Sequence, residues 1–355
     1  MITATTHERP GVYSSYDASS LIAASADGGK VAVIAVMDGM DGEKDPKTVY
    51  QWTSYSKAVA DVGECTLSRL ARLAIRNGAG TVYGVPVEHA EGDDGEHYET
   101  AFAAMAAIED VSVVVCDSTK QEIQQKLKDS VLKCTEARRE RVAVVSGAPG
   151  ESVTDLVKRA EGLNCERMVL VTPGMGDNSD GAGCAAAVAG AIAGTTDPAL
   201  PLGGAQLYGL DGLEQSYDDG DIDALVQGGV TALEMLAGSC YVVRGVTTRT
   251  KANGVKDATW RELSTILVVD EVIPGVRRAL RAKFSRAKNN RQTRGAIRSQ
   301  TVMELEKRVS REIIDSYEDV TVSALEDDPT VCLVEFTFTV AHGLNQVWLS
   351  AHITV

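Results

Sequence analysis

The feature that most constrains the fold is the alternation in the last twenty-six residues, 330–355. From 332 to 340, apolar side chains occupy every second position, with polar side chains between them. After a glycine-containing break at 341–345, the alternation resumes and continues to the last residue, with apolar positions at Val347, Leu349, Ala351, Ile353 and Val355. A period of two predicts strands with one apolar face. A strand at a chain end must pair with a sheet, so we predict that residues 345–355 form an arm that adds either to its own sheet or to that of a neighbouring copy.

Length, charge and cysteine spacing exclude several classes of protein. A chain of 355 residues favours two domains over one. Its net charge of −15 argues against direct nucleic-acid binding. No basic-plus-apolar N-terminal run and no apolar run of membrane-spanning length occur, so we expect neither a signal peptide nor membrane insertion. The seven cysteines are scattered without a CxxC pair, which predicts reduced, buried thiols, synthesis in a cytoplasm and no zinc site.

Between residues 30 and 172, short apolar runs alternate with amphipathic segments, which predicts βαβ units and an α/β domain. We predict Ser118 with Gln121 as a capping box, and Ser152 with Asp155 as a second cap. An acidic loop is predicted at 88–97. The strands are predicted at 30–38, 81–87, 111–116, 141–145 and 167–172, and the helices at 56–60, 66–77, 118–140 and 152–163.

Two further helices are predicted before residue 238, and the C-terminal third after it predicts a different, α+β arrangement. Residues 181–194 are nearly all small, which predicts a helix buried on every side. Further helices are predicted at 221–237 with Gly238 as its stop, at 274–288 with Pro274 in its first turn, and after a cap formed by Thr301 with Glu304. Strands are predicted at 241–247 and 264–269. The composition shifts near residue 238, where we place a domain boundary.

Very little in the sequence points to catalysis. The loop at 173–183 follows a predicted strand and precedes a helix, but its glycines match neither phosphate-binding pattern. Its Asp177, Asn178 and Asp180 would suit an oxygen-ligand metal, although the EF-hand spacing is absent. No histidine lies beside a convincing nucleophile, so we predict no catalytic residue, no metal and no cofactor. A cytoplasmic α/β enzyme that binds a small ligand near 173–183 is the alternative hypothesis.

One charged segment stands out because it is basic in an acidic chain. Residues 273–302 contain no acidic residue and nine basic ones. On a helical wheel the apolar residues share one face and four basic residues share the adjoining one. This pattern is typical either of a solvated face or of an electrostatic contact with an acidic partner. The four candidate contact residues are Arg277, Arg278, Arg281 and Lys288.

Four segments in order make the chain resemble a known family. Residues 9–13 read RPGVY, 77–83 read NGAGTVY, 185–194 are alanine-rich, and 243–248 read VRGVTT. Together with the basic helix and the paired terminal strands, they resemble the contractile tail sheath proteins of myophages and phage-tail-like bacteriocins. The resemblance covers nearly the whole chain. The chain is at the short end for such sheaths, and the two-protein sheaths of type VI secretion are less similar.

The resemblance implies an α/β outer domain plus an α+β C-terminal polymerisation domain with extended N- and C-terminal strand arms. It implies that residues 1–24 are an arm belonging to the polymerisation domain, that 25–238 form the outer domain, and that 239–355 form the sheath domain ending in the arm 345–355. The arms would pair with strands of neighbouring subunits through Pro10, Gly11, Val12, Tyr13 and the alternating residues of the C-terminal arm.

The implied function is mechanical and not enzymatic. Stacked helical rings would surround an inner tail tube and contract, driving the tube through the envelope of a target cell. The implied partners are further copies of the chain, the tube protein, and baseplate and tail terminator proteins. Assembly would take place in a bacterial cytoplasm, into a virion tail or a phage-tail-like particle; phage and bacteriocin origins remain open.

Overall fold

The structure, a computed structural model, describes residues 28–37, 48–87, 94–176, 182–345 and 350. Within these residues a nine-stranded sheet is followed by a helical pair and a two-stranded sheet. The large sheet has the order β2-β3-β1-β4-β5-β6-β8-β9-β7. Its strands are β1 (Lys30–Val36), β2 (Tyr50–Trp52), β3 (Thr81–Val87), β4 (Val113–Cys116), β5 (Val142–Ser146), β6 (Met168–Thr172), β7 (Gln206–Leu207), β8 (Val230–Leu236) and β9 (Ser239–Val242).

Strands β3, β1, β4, β5, β6 and β8 pair in parallel, and the short strands β2, β9 and β7 join in antiparallel pairing at the two sides. The predicted α/β class is confirmed. Seven helices connect the strands and lie on both faces. They are α1 (Tyr55–Val62), α2 (Thr66–Arg76), α3 (Asp94–Ala106), α4 (Gln121–Glu136), α5 (Val153–Leu163), α6 (Gly183–Gly194) and α7 (Asp219–Gln227).

The sheet is apolar on both faces because each face carries a helical layer. Helices α1, α2 and α6 cover one face, and α3, α4, α5 and α7 cover the other. Strand β1 shows the consequence, since Val31, Val33 and Ala35 belong to the first core cluster while Ala32 and Ile34 belong to the second. Parallel strands buried on both faces read as continuous apolar runs, as this one does.

Helix α6 has the small-residue composition because α2 approaches it closely. Ten of its twelve residues are buried, as predicted. A Cβ placed on Gly190 would lie 2.3 Å from the carbonyl oxygen of Ala74 in α2, and one on Gly194 would lie 2.8 Å from the Cα of Gly78. Only glycine allows the two backbones to meet at this distance.

The C-terminal part packs two helices against a two-stranded sheet. Leu305, Ile313 and Ile314 are buried there with three valines of the first helix. A small hairpin precedes this unit. The elements are β10 (Lys251–Ala252), β11 (Val255–Lys256), α8 (Leu263–Phe284), α9 (Arg291–Val309), β12 (Ile314–Ala324) and β13 (Cys332–Val340). The predicted α+β arrangement of this third is therefore present.

The predicted helix over 221–237 is wrong in its second half. Helix α7 ends at Gln227, and Gly229 follows with φ +82°. Residues 230–236 then form β8, which pairs with β6 on one side and β9 on the other. A buried parallel strand and a buried helix both read as apolar runs, so the run alone could not separate them. The sheet continues past the boundary predicted at 238 as far as Val242, and the division into domains stays a prediction.

The predicted strand over 264–269 and the helix start at Pro274 are also wrong. Both segments belong to α8, in which Pro274 is interior. The guanidinium of Arg308 fits against the next residue, where a Cβ on Gly275 would lie 1.8 Å from Nη2, and Nη2 donates to the carbonyl of Glu271 at 3.2 Å. Proline removes one N–H from the helix ladder, and this side chain supplies a donor beside the break.

Other local predictions fail at helix ends. Helix α3 begins inside the predicted acidic loop, and α4 has Lys120 at its N-cap instead of the Ser118 box. Thr301 lies inside α9 and its hydroxyl donates to the carbonyl of Ile297, while Asn290 caps that helix. Of the predicted strand at 241–247, only the start lies in β9. The cap at Ser152 is confirmed, since its hydroxyl accepts from the N–H of Asp155.

Candidate assembly surfaces

The basic segment lies at the end of α8 and in the turn that follows it. Arg278, Arg281 and Lys288 are exposed. The helix ends at Phe284, so Lys288 lies beyond it and the predicted helix over 274–288 is too long at its C-terminal end. The structure therefore brings two of the four predicted residues together on the exposed side of the helix and places Lys288 in the adjoining turn.

Arg277, the fourth residue, already has a partner in its own subunit. Its Nη2 donates to Oε1 of Glu140 at 2.7 Å, and the two side chains are 35% and 13% exposed. Burial opposes ionisation of Glu140, but the hydrogen bond and positive charge of Arg277 outweigh it, and the pKa of Glu140 lies below its ordinary value. This pair ties α8 to the segment that leads into β5.

A second, deeper pair fixes α8 to the N-terminal end of the neighbouring strand β6. Arg167, just before β6, makes a bidentate contact with Asp270 at 2.7 and 2.8 Å. Their side chains are 7% and 17% exposed. On its other side α8 buries Val268, Val272 and Val276 against α9 and β12. The exposed basic residues are thus carried by a helix held from two directions.

Sequence reasoning missed these ties. Arg167 and Asp270 are 103 residues apart, and Glu140 and Arg277 are 137 apart. Nothing in a local pattern marks an arginine as the partner of a distant carboxylate. The only signal was that acidic residues cease after Glu271 while the basic ones continue.

The two-stranded sheet has the alternation predicted for residues 332–340. Along β13, residues alternate between half-buried and exposed, with Phe336 and Phe338 on the side that faces the helices. The strand pairs with β12 in antiparallel register. The predicted arm residues Pro10, Gly11, Val12, Tyr13, Val347, Leu349, Ala351, Ile353 and Val355 lie outside the described residues.

The alternative ligand loop is described only at its two ends. The carbonyl of Gly174 accepts from the N–H of Glu214 at 2.9 Å, whereas Asp177, Asn178 and Asp180 lie outside the described residues. Across the described part of the chain, no group of three or more His, Cys, Asp or Glu residues could hold a metal ion. Six of the seven cysteines are buried, and burial raises the pKa of Cys165 and of Cys240 to about 11.

A cleft lined by four carboxylates is also engaged in structure. It has a volume of about 400 Å³ and lies between the end of α6 and α8. Three of its four lining carboxylates, Glu140, Asp270 and Glu271, are ion-paired with arginines. Among the described helices, none is long and apolar enough to cross a membrane.

Two family models match the chain. Residues 91–248 match the phage tail sheath protein central domain, and residues 255–354 match the phage tail sheath C-terminal domain. Together they cover well over half of the sequence. No curated protein sequence matches it.

Solved structures share the fold at low sequence identity. A chain of the anti-feeding prophage baseplate matches with a TM-score of 0.76 at 14% identity, covering 99% of this chain and 100% of the other. The contracted helical sheath of the anti-feeding prophage gives 0.71 at 13% identity, covering 98% and 99%. The sheath tail protein of Desulfitobacterium hafniense gives 0.66 at 13% identity, covering 93% and 100%.

The predicted resemblance is therefore confirmed, and the enzyme alternative is wrong, because the matching family is structural and non-enzymatic. A large, mostly parallel sheet with a following α+β unit is the architecture of the solved sheath proteins. The chain belongs to the contractile tail sheath family and is a structural sheath subunit.

Proposed function

We propose that the subunit polymerises as stacked helical rings around an inner tail tube and contracts to drive the tube through the envelope of a target cell. The observation that carries this proposal is the helix-borne basic surface of an acidic chain, fixed to both parts of the molecule and left exposed at Arg278 and Arg281. The contracted helical sheath among the similar structures supports self-association.

The domain division follows from the same proposal. Residues 25–238 form the outer domain, and residues 239–355 together with the arm 1–24 form the polymerisation domain. The arms 1–24 and 345–355 pair with strands of neighbouring copies. Assembly takes place in the bacterial cytoplasm, into a virion tail or a phage-tail-like particle, with the tube, baseplate and tail terminator proteins as the other partners.

A basic surface suits a contact that must hold and then release. Exposed ion pairs each contribute about 0–1 kcal/mol. Many copies of such a pair would together bind the sheath to the tube, while each single pair would dissociate easily. Such contacts are screened over about 10 Å at 0.1 M salt. The residues proposed to face the tube are Arg277, Arg278, Arg281 and Lys288.

The test reverses charge on the two exposed basic residues that lie in helix α8, Arg278 and Arg281. Arg277→Glu would place two carboxylates together at Glu140, so the variant is Arg278→Glu with Arg281→Glu. The control, Lys57→Glu with Lys256→Glu, makes the same change of four charges at exposed positions elsewhere. Each variant is produced with its tube protein and imaged by electron microscopy.

We expect the α8 variant to fold and to lose extended assemblies around the tube, while tube-free polymers still form. The control should give tails like the unmodified protein. Normal extended tails from the α8 variant would refute the tube contact through this surface.

A further inference from the structure

A cleft lies where the segments matched by the two family models meet. It has a volume of about 560 Å³. One side is formed by α5 and the C-terminal end of α7, and the other by residues 250–261, which include the hairpin β10–β11 and lead toward α8. The central-domain match ends at 248 and the C-terminal match begins at 255. Small-molecule sites commonly lie in clefts of this size between domains.

Thr250, at the start of the second side, is fixed to α5. Asn164 is the C-cap of α5, and its Oδ1 accepts from the N–H groups of Thr250 and Lys251, both at 3.1 Å. The Nδ2 of Asn164 donates to the carbonyl of Lys251 at 3.1 Å. The methyl group of Thr250 lies against Gly229, where a Cβ would come within 2.9 Å of Cγ2. The backbone and the rotamer of Thr250 are therefore both held by their surroundings.

The hydroxyl oxygen of Thr250 is buried and has no hydrogen-bond partner in the subunit. A hydroxyl buried without a partner destabilises the folded state, and folded proteins satisfy nearly all such groups. Thr250 lines the cleft. A polar group bound there would satisfy its hydroxyl.

Arg261, at the other end of the same segment, is a shielded cation without a side-chain hydrogen bond. Its side chain is 28% exposed, and its Nε is buried with no partner. In the described part of the chain, Glu262 is the one carboxylate within 4.0 Å, and the 3.9 Å from Nη2 to Oε1 exceeds hydrogen-bond distance. The same Oε1 already accepts from Arg244. The carbonyl of Arg261 accepts from the N–H of Thr247 at 2.8 Å, which fixes its backbone.

The two carboxylates that line the cleft are engaged with other groups. Glu161 pairs with Lys251 at 3.0 Å. The Oδ1 of Asp257 accepts from the N–H and from the hydroxyl of Thr259. Within the described residues, neither carboxylate forms an ion pair with Arg261. The guanidinium of Arg261 and the hydroxyl of Thr250 are therefore both available to a ligand.

We propose that this cleft binds an oxyanion through the guanidinium of Arg261 and the hydroxyl of Thr250. Guanidinium and hydroxyl groups are common donors to phosphate and carboxylate oxygens, and hydrogen bonds to an ionised group are the stronger ones. The anion is either a free ion such as phosphate or a carboxylate of a second copy, and both would be recognised by the same donors. Because Thr250 is tied to α5 and Arg261 leads into α8, the bound anion would connect the two matched parts of the chain.

Anion titrations of the full-length protein as single subunits test the site. Phosphate and, separately, acetate are titrated by calorimetry at constant ionic strength. Arg261→Gln removes the charge, and Thr250→Val removes the hydroxyl while keeping the shape of the side chain. Arg286→Gln is the matched control, because it removes one charge from an exposed arginine in the turn after α8.

We expect saturable binding to the unmodified protein. Arg261→Gln should raise the Kd about 10- to 100-fold and Thr250→Val about two- to tenfold, as expected for a charged and a neutral hydrogen bond. Arg286→Gln should leave the Kd unchanged. At a phosphate concentration about 100 times the Kd, the Tm of the unmodified protein should rise about 2–3 °C more than that of Arg261→Gln. Comparing the two proteins removes the general stabilising effect of phosphate.

The absence of saturable binding for both anions would overturn the site, as would equal Kd values for the unmodified protein and Arg261→Gln. If Arg261→Gln does not fold, an unchanged Kd in Thr250→Val would overturn it instead. These measurements on single subunits do not depend on polymerisation or on the proposed function.

Repeating the phosphate measurement on polymers of the unmodified protein distinguishes the two sources of the anion. Phosphate that still binds to the polymer identifies a free anion as the ligand. Phosphate that is excluded from the polymer, together with weaker polymerisation of Arg261→Gln, identifies a carboxylate of a second copy.

Discussion

The ion pair between Arg167 and Asp270 should be a large single contribution to the attachment of α8. Replacing Arg167 by Met leaves the Asp270 carboxylate, 17% exposed, without its bidentate partner. Removing one member of a buried pair costs about 3–5 kcal/mol, because the desolvated charge that remains is uncompensated. Asp270→Leu should cost a similar amount, since it leaves the Arg167 guanidinium, whose side chain is only 7% exposed, without its partner.

The double variant Arg167→Met with Asp270→Leu removes both charges and should recover most of this loss. With an unfolding entropy near 2.1 cal/mol/K per residue, 355 residues give about 0.75 kcal/mol/K, so each single variant should melt about 4–7 °C lower if the chain unfolds as one unit.

Calorimetry and urea denaturation of all four proteins complete a double-mutant cycle. Asp110→Asn is the control, because its partner Lys30 and Asp110 itself are 36% and 67% exposed and their pair should contribute at most about 1 kcal/mol. Single variants within about 1 kcal/mol of the unmodified protein, or a double variant no better than either single variant, would refute the role assigned to this pair.

Two further outcomes follow from the structure. Gly190→Ala forces a Cβ to 2.3 Å from the Ala74 carbonyl oxygen and should lower the free energy of unfolding, measured by urea denaturation, by about 1–3 kcal/mol. The control Gly212→Ala, whose Cβ would meet nothing within 4 Å, should leave it unchanged. Equal stabilities of the two variants would contradict the close α2–α6 contact. Because the pKa of Glu140 is lowered by Arg277, its stabilising contribution is complete above its ordinary value near 4.5 and is lost as pH falls through the lower folded pKa. The stability difference between the unmodified protein and Glu140→Gln should therefore shrink across that acidic range, and a difference independent of pH would contradict it.

The α/β region could be predicted from the sequence because its signals are local. Short apolar runs bounded by turns gave β1, β3 and β5, and the small-residue segment gave α6 with its all-round burial. The Ser152 cap was also correct, since a cap is formed by residues three apart. The strand runs and the cap are decided by neighbours along the chain, and the composition of α6 marks its burial directly.

The misassigned elements are those in which distant contacts decide. The run at 264–269 has strand-like composition, yet it lies in α8 because Leu263 and Ile266 pack against the large-sheet core on one helical side and Val268 is buried against α9 and β12 on the other. A proline is typical of the first turn of a helix, so Pro274 predicts a helix start. It is instead inside α8, where the side chain of Arg308 donates to the carbonyl of Glu271 in the neighbouring turn. The basic residues of α8 were found by composition, whereas the partner of Arg277 could be identified only once Glu140 was placed beside it.

If copies of this subunit transmit force to one another, as the proposed function requires, the position of β1 has a mechanical consequence. The chain passes Gly29, whose N–H donates to Ala193 and whose carbonyl accepts from Gly80, and enters β1 in the interior of the large sheet. Strand β1 pairs in parallel with β3 over seven residues on one side and with β4 over four on the other. Tension applied through the residues before Gly28 along the strand direction would load both ladders in shear, so many hydrogen bonds would share the force at once. An edge strand peeled from a sheet breaks its bonds one after another, and the N-terminal connection of this subunit avoids that geometry.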